Sequence, residues 1–186
     1  MFYRAVIAAA LMLAPAAAQA EKQEMTLEER VRKIEDQAAI RELILQYAVR
    51  LDARDFDGYA QLFAKDGVWK NGPVVHQGRE AIRSMLSGIY GPTPPGYQNR
   101  DSYRIVHNIE ILTLEGDRAT ARSKHLTLMR GENEAPTPRL VGIYTDEFIR
   151  EDGEWKFLSR DDTVFMPSAE EWGRQMAELR AAQTRD

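Results

Sequence analysis

From Tyr103 to Arg130 the chain alternates apolar and polar positions twice, on either side of Glu115-Gly116-Asp117. Such alternation marks strands with one buried face, and a short Gly-containing break joins the two runs into a β-hairpin. In the first run Ile105, His107, Ile109 and Ile111 share one parity; in the second Ala119, Ala121, Ser123, His125, Thr127 and Met129 do. A three-residue loop pairs Leu114 with Arg118 and so His107 with His125. A two-residue turn pairs His107 with Leu126 and brings Arg122 and Lys124 to the side of the isoleucines. A slip of one residue exchanges the faces of a strand, so burial favours the first register. It sets His107 and His125 opposite each other on an inward face, with Cβ atoms about 4.5–5.5 Å apart.

The rest of the pattern fills in around this hairpin. Thr26-Leu27-Glu28-Glu29 is a capping box, and Val31, Ile34, Ala38, Ile40, Leu43, Ile44, Tyr47 and Leu51 follow at helical spacing to about Asp52. Asp55 or Asp57 caps a second helix with Tyr59, Leu62 and Phe63, which stops at Asp66-Gly67. Val68-Trp69-Lys70 and Val74-Val75-His76 read as short strands around Asn71-Gly72-Pro73, and a third helix runs from Arg79 to Ile89. Residues Gly91 to Ser102, with three prolines and two glycines, form a long loop of the kind that serves as a lid or binding loop. After the first hairpin, Leu140 to Arg150 and Glu154 to Thr163 form a second, around Glu151-Asp152-Gly153. Ser168-Ala169-Glu170-Glu171 opens a C-terminal helix with Trp172, Met176 and Leu179 on one side. This order gives one α+β domain: a curved antiparallel sheet with three helices packed on one side, and a C-terminal helix.

The first twenty residues stand apart from that pattern. Arg4 precedes an apolar run from Ala5 to Ala14, Pro15 breaks it, and Ala18-Gln19-Ala20 has the small-x-small form of a signal-peptidase site. The expectation is a secretory signal at residues 1–20, cleaved after Ala20, and an exported, periplasmic chain of residues 21–186 forming a single domain. The run is too short for a membrane span, which needs roughly 20 apolar residues, so no membrane association is expected after cleavage. Removing the segment takes Arg4 alone and leaves the chain slightly more acidic than its formal −4. With no basic block, nucleic acid is not an expected partner. With no cysteine, disulfides and thiol catalysis are ruled out.

The candidate chemistry gathers around the histidines. Asp52 follows the last apolar position of the first helix, and Tyr47 lies a little more than one turn before it. Burying the Ile40–Leu51 stripe carries both toward the histidine-bearing face. An Asp beside a His fixes the imidazole tautomer and raises its basicity. Such a pair can remove a proton while a second His or a Tyr protonates the leaving group. Each residue alone has a plainer reading: Asp52 as a cap, the histidines and Tyr47 as hydrogen-bonded core. Asp52, His107 and His125 are also the right types for a facial metal triad. His76 is expected on the surface, and Asp161 and Asp162 as turn or ion-pair residues near Arg160.

Three segments carry a family resemblance: AIRELILQYAVRLDARDFDGYAQLFAKDGVW, VHNIEI and GIYTDEFIREDGEWKF. With them the chain resembles the SnoaL-like branch of the nuclear-transport-factor-2-like (NTF2-like) superfamily over about Ile34 to Val164. Within it, scytalone dehydratase, the hexachlorocyclohexane dehydrochlorinase and the bile-acid 7α-dehydratase are similar. The resemblance implies a cone-shaped fold and a cofactor-free, metal-free lyase that eliminates water, or formaldehyde by retro-aldol cleavage, from an apolar, aromatic small molecule, as in aromatic compound degradation. It implies catalytic roles for His107, Asp52, His125 and Tyr47. Tyr144 and Trp69 are expected to bind substrate, and the chain to be a homo-trimer or homo-dimer. Leu51, Gly142 and Tyr144 depart from the dehydratase pattern of Tyr, Ser and Asn, so scytalone itself is not the expected substrate. A non-catalytic binding module for an apolar ligand is the alternative.

Overall fold

A computed structural model of the chain describes residues 24–168, 170–171, 173–175 and 177–178. The expected signal segment, and Trp172, Met176 and Leu179 of the C-terminal helix, lie outside the described residues. Helix α1 spans Leu27–Asp52, α2 Phe56–Gln61 and α3 Arg79–Tyr90. Strands are β1 (Phe63–Asn71), β2 (Val74–Gln77), β3 (Ser102–Glu115), β4 (Arg118–Arg130), β5 (Pro136–Glu151) and β6 (Glu154–Met166). They form one curved sheet in the order β2-β1-β6-β5-β4-β3. All neighbours are antiparallel except β1 and β6, which run parallel. The helices cover one face, giving the cone expected of the sequence. Beyond β6, helical residues follow Ser168, whose hydroxyl accepts from the Glu171 amide.

The capping box forms as expected, Thr26 and Glu29 exchanging hydrogen bonds. Asp55 caps α2 through the Gly58 amide, 2.9 Å. That helix ends sooner than its apolar pattern predicts, because Phe63 already belongs to β1 and packs against Phe157 at 5.2 Å. Along α1 the buried positions are Asp36, Ile40, Leu43, Ile44, Tyr47, Ala48 and Leu51. Val31 and Ile34, expected on the same stripe, are exposed. Asp36 is the first residue of α1 to reach the sheet: its carboxylate takes hydrogen bonds from Arg150 and from Trp155 Nε1.

The register of the first hairpin differs from the expected one. The turn has two residues, Gly116 and Asp117, with Glu115 opposite Arg118. The pairing then shifts between Ile111 and Thr113 and again between His107 and Glu110. The second shift is a bulge at Asn108, which sits at φ 51° in the left-handed region that Asn tolerates better than most residues. An inserted residue reverses the parity of everything beyond it. Val106, not His107, therefore stands opposite His125, while His107 pairs with Lys124 and is exposed on the outer face of the sheet.

Candidate active site

The helix-facing side of β3 carries Arg104 and Val106, and that of β4 carries Ser123, His125 and Thr127. Opposite Ser123 stands Tyr144 on β5, and opposite Tyr144 stands Asp162 on β6. Tyr47 and Asp52 descend from α1. These elements bring Asp52, Tyr47, Trp69, His125 and Tyr144 to one side of the sheet. His107 is left on the other, so Asp52, His107 and His125 do not converge. Among the described residues no three such side chains are grouped to hold a metal ion.

Asp52 has a partner that the sequence reading did not assign. Its carboxylate is ion-paired with the Arg104 guanidinium and accepts from the Arg104 amide at 3.3 Å. The same guanidinium donates to the Tyr90 hydroxyl, 2.8 Å, at the end of α3. Burial works against the Arg104 charge, but the oxygens of Tyr90 and Asp52 outweigh it and raise its pKa. Arg104 thus occupies the place in the dyad that was expected for His107.

His125 is 2 % exposed and stacks on the Tyr144 ring, centroids 4.2 Å apart at 14°. Its Nε2 lies 2.9 Å from Asp162 Oδ1. An ionised carboxylate only accepts, so in the neutral imidazole Nε2 carries the proton and Nδ1 the lone pair. Nδ1 is buried and has no partner. The bond to Asp162 crosses β5 at Gly142. A Cβ there would stand 2.4 Å from His125 Nε2 and 2.5 Å from the Thr163 carbonyl oxygen. Absence of a side chain at this position opens the path.

On the far side of Tyr144 lies Arg160, fully buried and bound through two nitrogens to Asp146, at 2.8 and 2.7 Å. Its guanidinium carbon stands 4.1 Å from the Tyr144 ring, 4.0 Å from Tyr47 and 4.2 Å from Phe157. The sequence reading offered Arg160 as a partner for Asp161 or Asp162; the register gives it Asp146 and gives Asp162 to His125. Arg160 Nη1 and Ser123 Oγ are, like His125 Nδ1, buried without a partner. Unpaired buried polar atoms cost about 1–3 kcal/mol each and concentrate where function holds them.

Tyr47 Oη accepts from Trp69 Nε1, 3.0 Å, and its ring lies 4.7 Å from that of Tyr59. The indole N–H only donates, so this bond leaves the Tyr47 proton free to be donated elsewhere. Burial pushes the Tyr47 phenol up, against the pull of Arg160. Burial pushes Tyr59 and Tyr144 well above the usual range. His76, expected on the surface, is half-buried, with its ring 5.9 Å from Trp69.

The SnoaL-like domain model matches residues 32–161, most of the chain, from within α1 to within β6. The protein belongs to the SnoaL-like family. Solved structures agree with its NTF2-like fold. An NTF2-like protein with a cystatin-like fold from Novosphingobium aromaticivorans is 26% identical, over 81% of this chain and 94% of that one, with a TM-score of 0.66. A protein proposed to be a scytalone dehydratase, from the same organism, is 27% identical over 73% and 87%, at 0.60. A hexachlorocyclohexane dehydrochlorinase, LinA type 2, is 20% identical over 73% and 88%, at 0.61, a likeness of fold. No curated protein matches this SnoaL-like chain by sequence.

Arg104, Tyr90 and Asp162 complete the site and escaped the sequence reading. Arg104 was hidden by the Asn108 bulge, which reverses the face on which it falls. Asp162 was hidden in the same way: it has the opposite parity to the buried Trp155 and Phe157, and a register shift against β5 between Phe157 and Ser159 brings Arg160 and Asp162 to their face.

Proposed function

We propose that this SnoaL-like protein is a lyase that works by acid-base elimination with its own side chains, on a hydroxylated, apolar, aromatic small molecule. The observation that carries the reading is His125, oriented through Nε2 by Asp162 and presenting an unpartnered, lone-pair-bearing Nδ1 among aromatic rings. Such a nitrogen is a general base already in the right tautomer. Nδ1 takes the proton from the carbon next to an electron-withdrawing group. The C–H electron pair becomes the new double bond, and the leaving hydroxyl departs as water with the proton of Tyr47 Oη. The Tyr47 phenolate is then reprotonated from imidazolium His125, directly or through solvent, which restores both groups. Asp162 keeps its negative charge and stabilises the imidazolium. Formaldehyde release fits the same groups: the base takes a hydroxyl proton, the C–C bond breaks, and Tyr47 protonates the resulting carbanion. The family's solved relatives named as a dehydratase and a dehydrochlorinase support the reaction class.

The experiment is a mass-spectrometric turnover screen of the mature chain against hydroxylated aromatic, diaryl and steroid-like compounds, beside His125→Gln, Asp162→Asn and Tyr47→Phe. Loss of water or formaldehyde by the wild type, reduced about 10²–10⁴-fold in His125→Gln, is the expected result. A panel compound that binds tightly, is unchanged, and binds all variants equally would remove the catalytic reading. That outcome would leave an apolar-ligand module, which the neutralisation of Asp52 by Arg104 favours. We also infer export to the periplasm. Intact mass of protein from its native host should begin at Glu21.

A further inference from the structure

Helix α1 has two apolar faces, and among the described residues only one is packed. Ile40, Leu43, Ile44, Tyr47 and Leu51 pack on the sheet. Leu27, Val31, Ile34, Leu45 and Val49 are 41–71% exposed, and Ala38 is exposed among them. At about 100° per residue these six fall within about 40° of a single line on the side away from the core. From Leu27 to Leu45 the steps along this line, through Val31, Ile34, Ala38 and Arg41, alternate four and three residues. That is the spacing of a coiled-coil seam, roughly 27 Å long here. The first turns, residues 27–35, are exposed on every side. So short a length of helix is marginal in water without tertiary packing.

The charges beside the seam say what fits it. Glu28, Glu35 and Glu42 lie along one flank, Arg30 and Arg41 along or just inside the other. Among the described residues none of the five forms an ion pair. If two such helices meet about a two-fold axis parallel to them, each acidic flank faces the partner's basic flank. Arg30 of one copy then comes opposite Glu35 of the other, the five-residue offset of parallel pairs. A perpendicular two-fold would set glutamates against glutamates. We propose that α1 pairs in parallel with α1 of a second copy of this chain through the Leu27–Leu45 seam. Arg41, the polar residue in that seam, fixes the register and reaches Glu42 of the second copy.

The test combines analytical ultracentrifugation with cross-linking. The mature chain is expected to dimerise, and Ile34→Asp to raise the dimer Kd at least tenfold, lowering the thermal midpoint only by removing its dependence on protein concentration. Arg30→Glu and Glu35→Arg should each weaken the dimer several-fold, and the double variant should restore it. The chain has no cysteine, so Leu27→Cys and Leu45→Cys can be placed singly; each should form a disulfide with its own copy on mild oxidation. A monomeric wild type overturns the proposal. So does a dimer indifferent to Ile34→Asp, which would use another surface. So does cross-linking only in a mixture of the two cysteine variants, which marks antiparallel helices.

Discussion

His125 reaches Asp162 across an intervening strand, through the space left by the missing side chain of Gly142. Three strands therefore share one hydrogen bond, and the middle one contributes by having nothing there. Gly142→Ala should push the imidazole off Asp162, since the new carbon cannot stand 2.4 Å from Nε2. The Thr163 carbonyl blocks retreat in the other direction. Overpacking of this kind costs about 1–3 kcal/mol. Imidazole NMR should report the lost bond directly, and turnover should fall about as far as in Asp162→Asn.

His107 provides the control. It stands on the outer face opposite Lys124, so His107→Ala should change stability by no more than about 0.5 kcal/mol and leave turnover and ligand affinity unchanged. A tenfold loss of activity would restore it to the site and contradict the register described here. Chemical denaturation and the turnover assay check both halves.

Alkali should unfold the protein through its tyrosines. Tyr47, Tyr59 and Tyr144 are buried, and burial raises all three pKa values above the usual phenol value of about 10. A raised folded-state pKa means that stability is fully present below the unfolded value and is lost as pH rises through the folded one. The prediction is a flat stability profile up to about pH 10 and a cooperative loss above it, coincident with phenolate absorbance. As the proposed acid, Tyr47 should produce no alkaline limb in kcat below that pH.

Acid should act at the other end of α1. Burial tends to raise the Asp36 pKa, but hydrogen bonds from Arg150 and Trp155 prevail and lower it. A lowered folded-state pKa contributes stability that is present above the unfolded value of about 3.9 and fades as pH falls through the folded one. Asp36→Asn should cost about 1–3 kcal/mol at neutral pH. The gap between variant and wild type should close toward pH 2, measured by urea melts.

Much of this fold was legible because periodicity is a local property. The capping box, the three helices, both hairpins and the long loop follow from spacing and turn chemistry alone. The site was legible only in part, because it depends on parity, and parity depends on the conformation of single residues. Asn108 in the left-handed region turns His107 outward and Arg104 inward. Nothing in the alternation of apolar residues announces an inserted residue when isoleucines lie on both sides of it. The two stripes of α1 were read as one for a related reason. Spacing records that Val31 and Ile34 recur with the helix, and the direction they face is set by what the sheet already covers.

Helix α1 is pinned at two carboxylates roughly 24 Å apart along its axis: Asp36 on Arg150 and Trp155, and Asp52 on Arg104. A rod fixed at two points can neither slide nor roll. Tyr47 lies between the pins, so the rod sets the height of its hydroxyl, and Trp69 on β1 holds its heading. The same constraint fixes the outer stripe. Leu27, Val31 and Ile34 have no rotation available that would turn them inward, so whatever shields them from water must come to the helix from outside the described part of the domain.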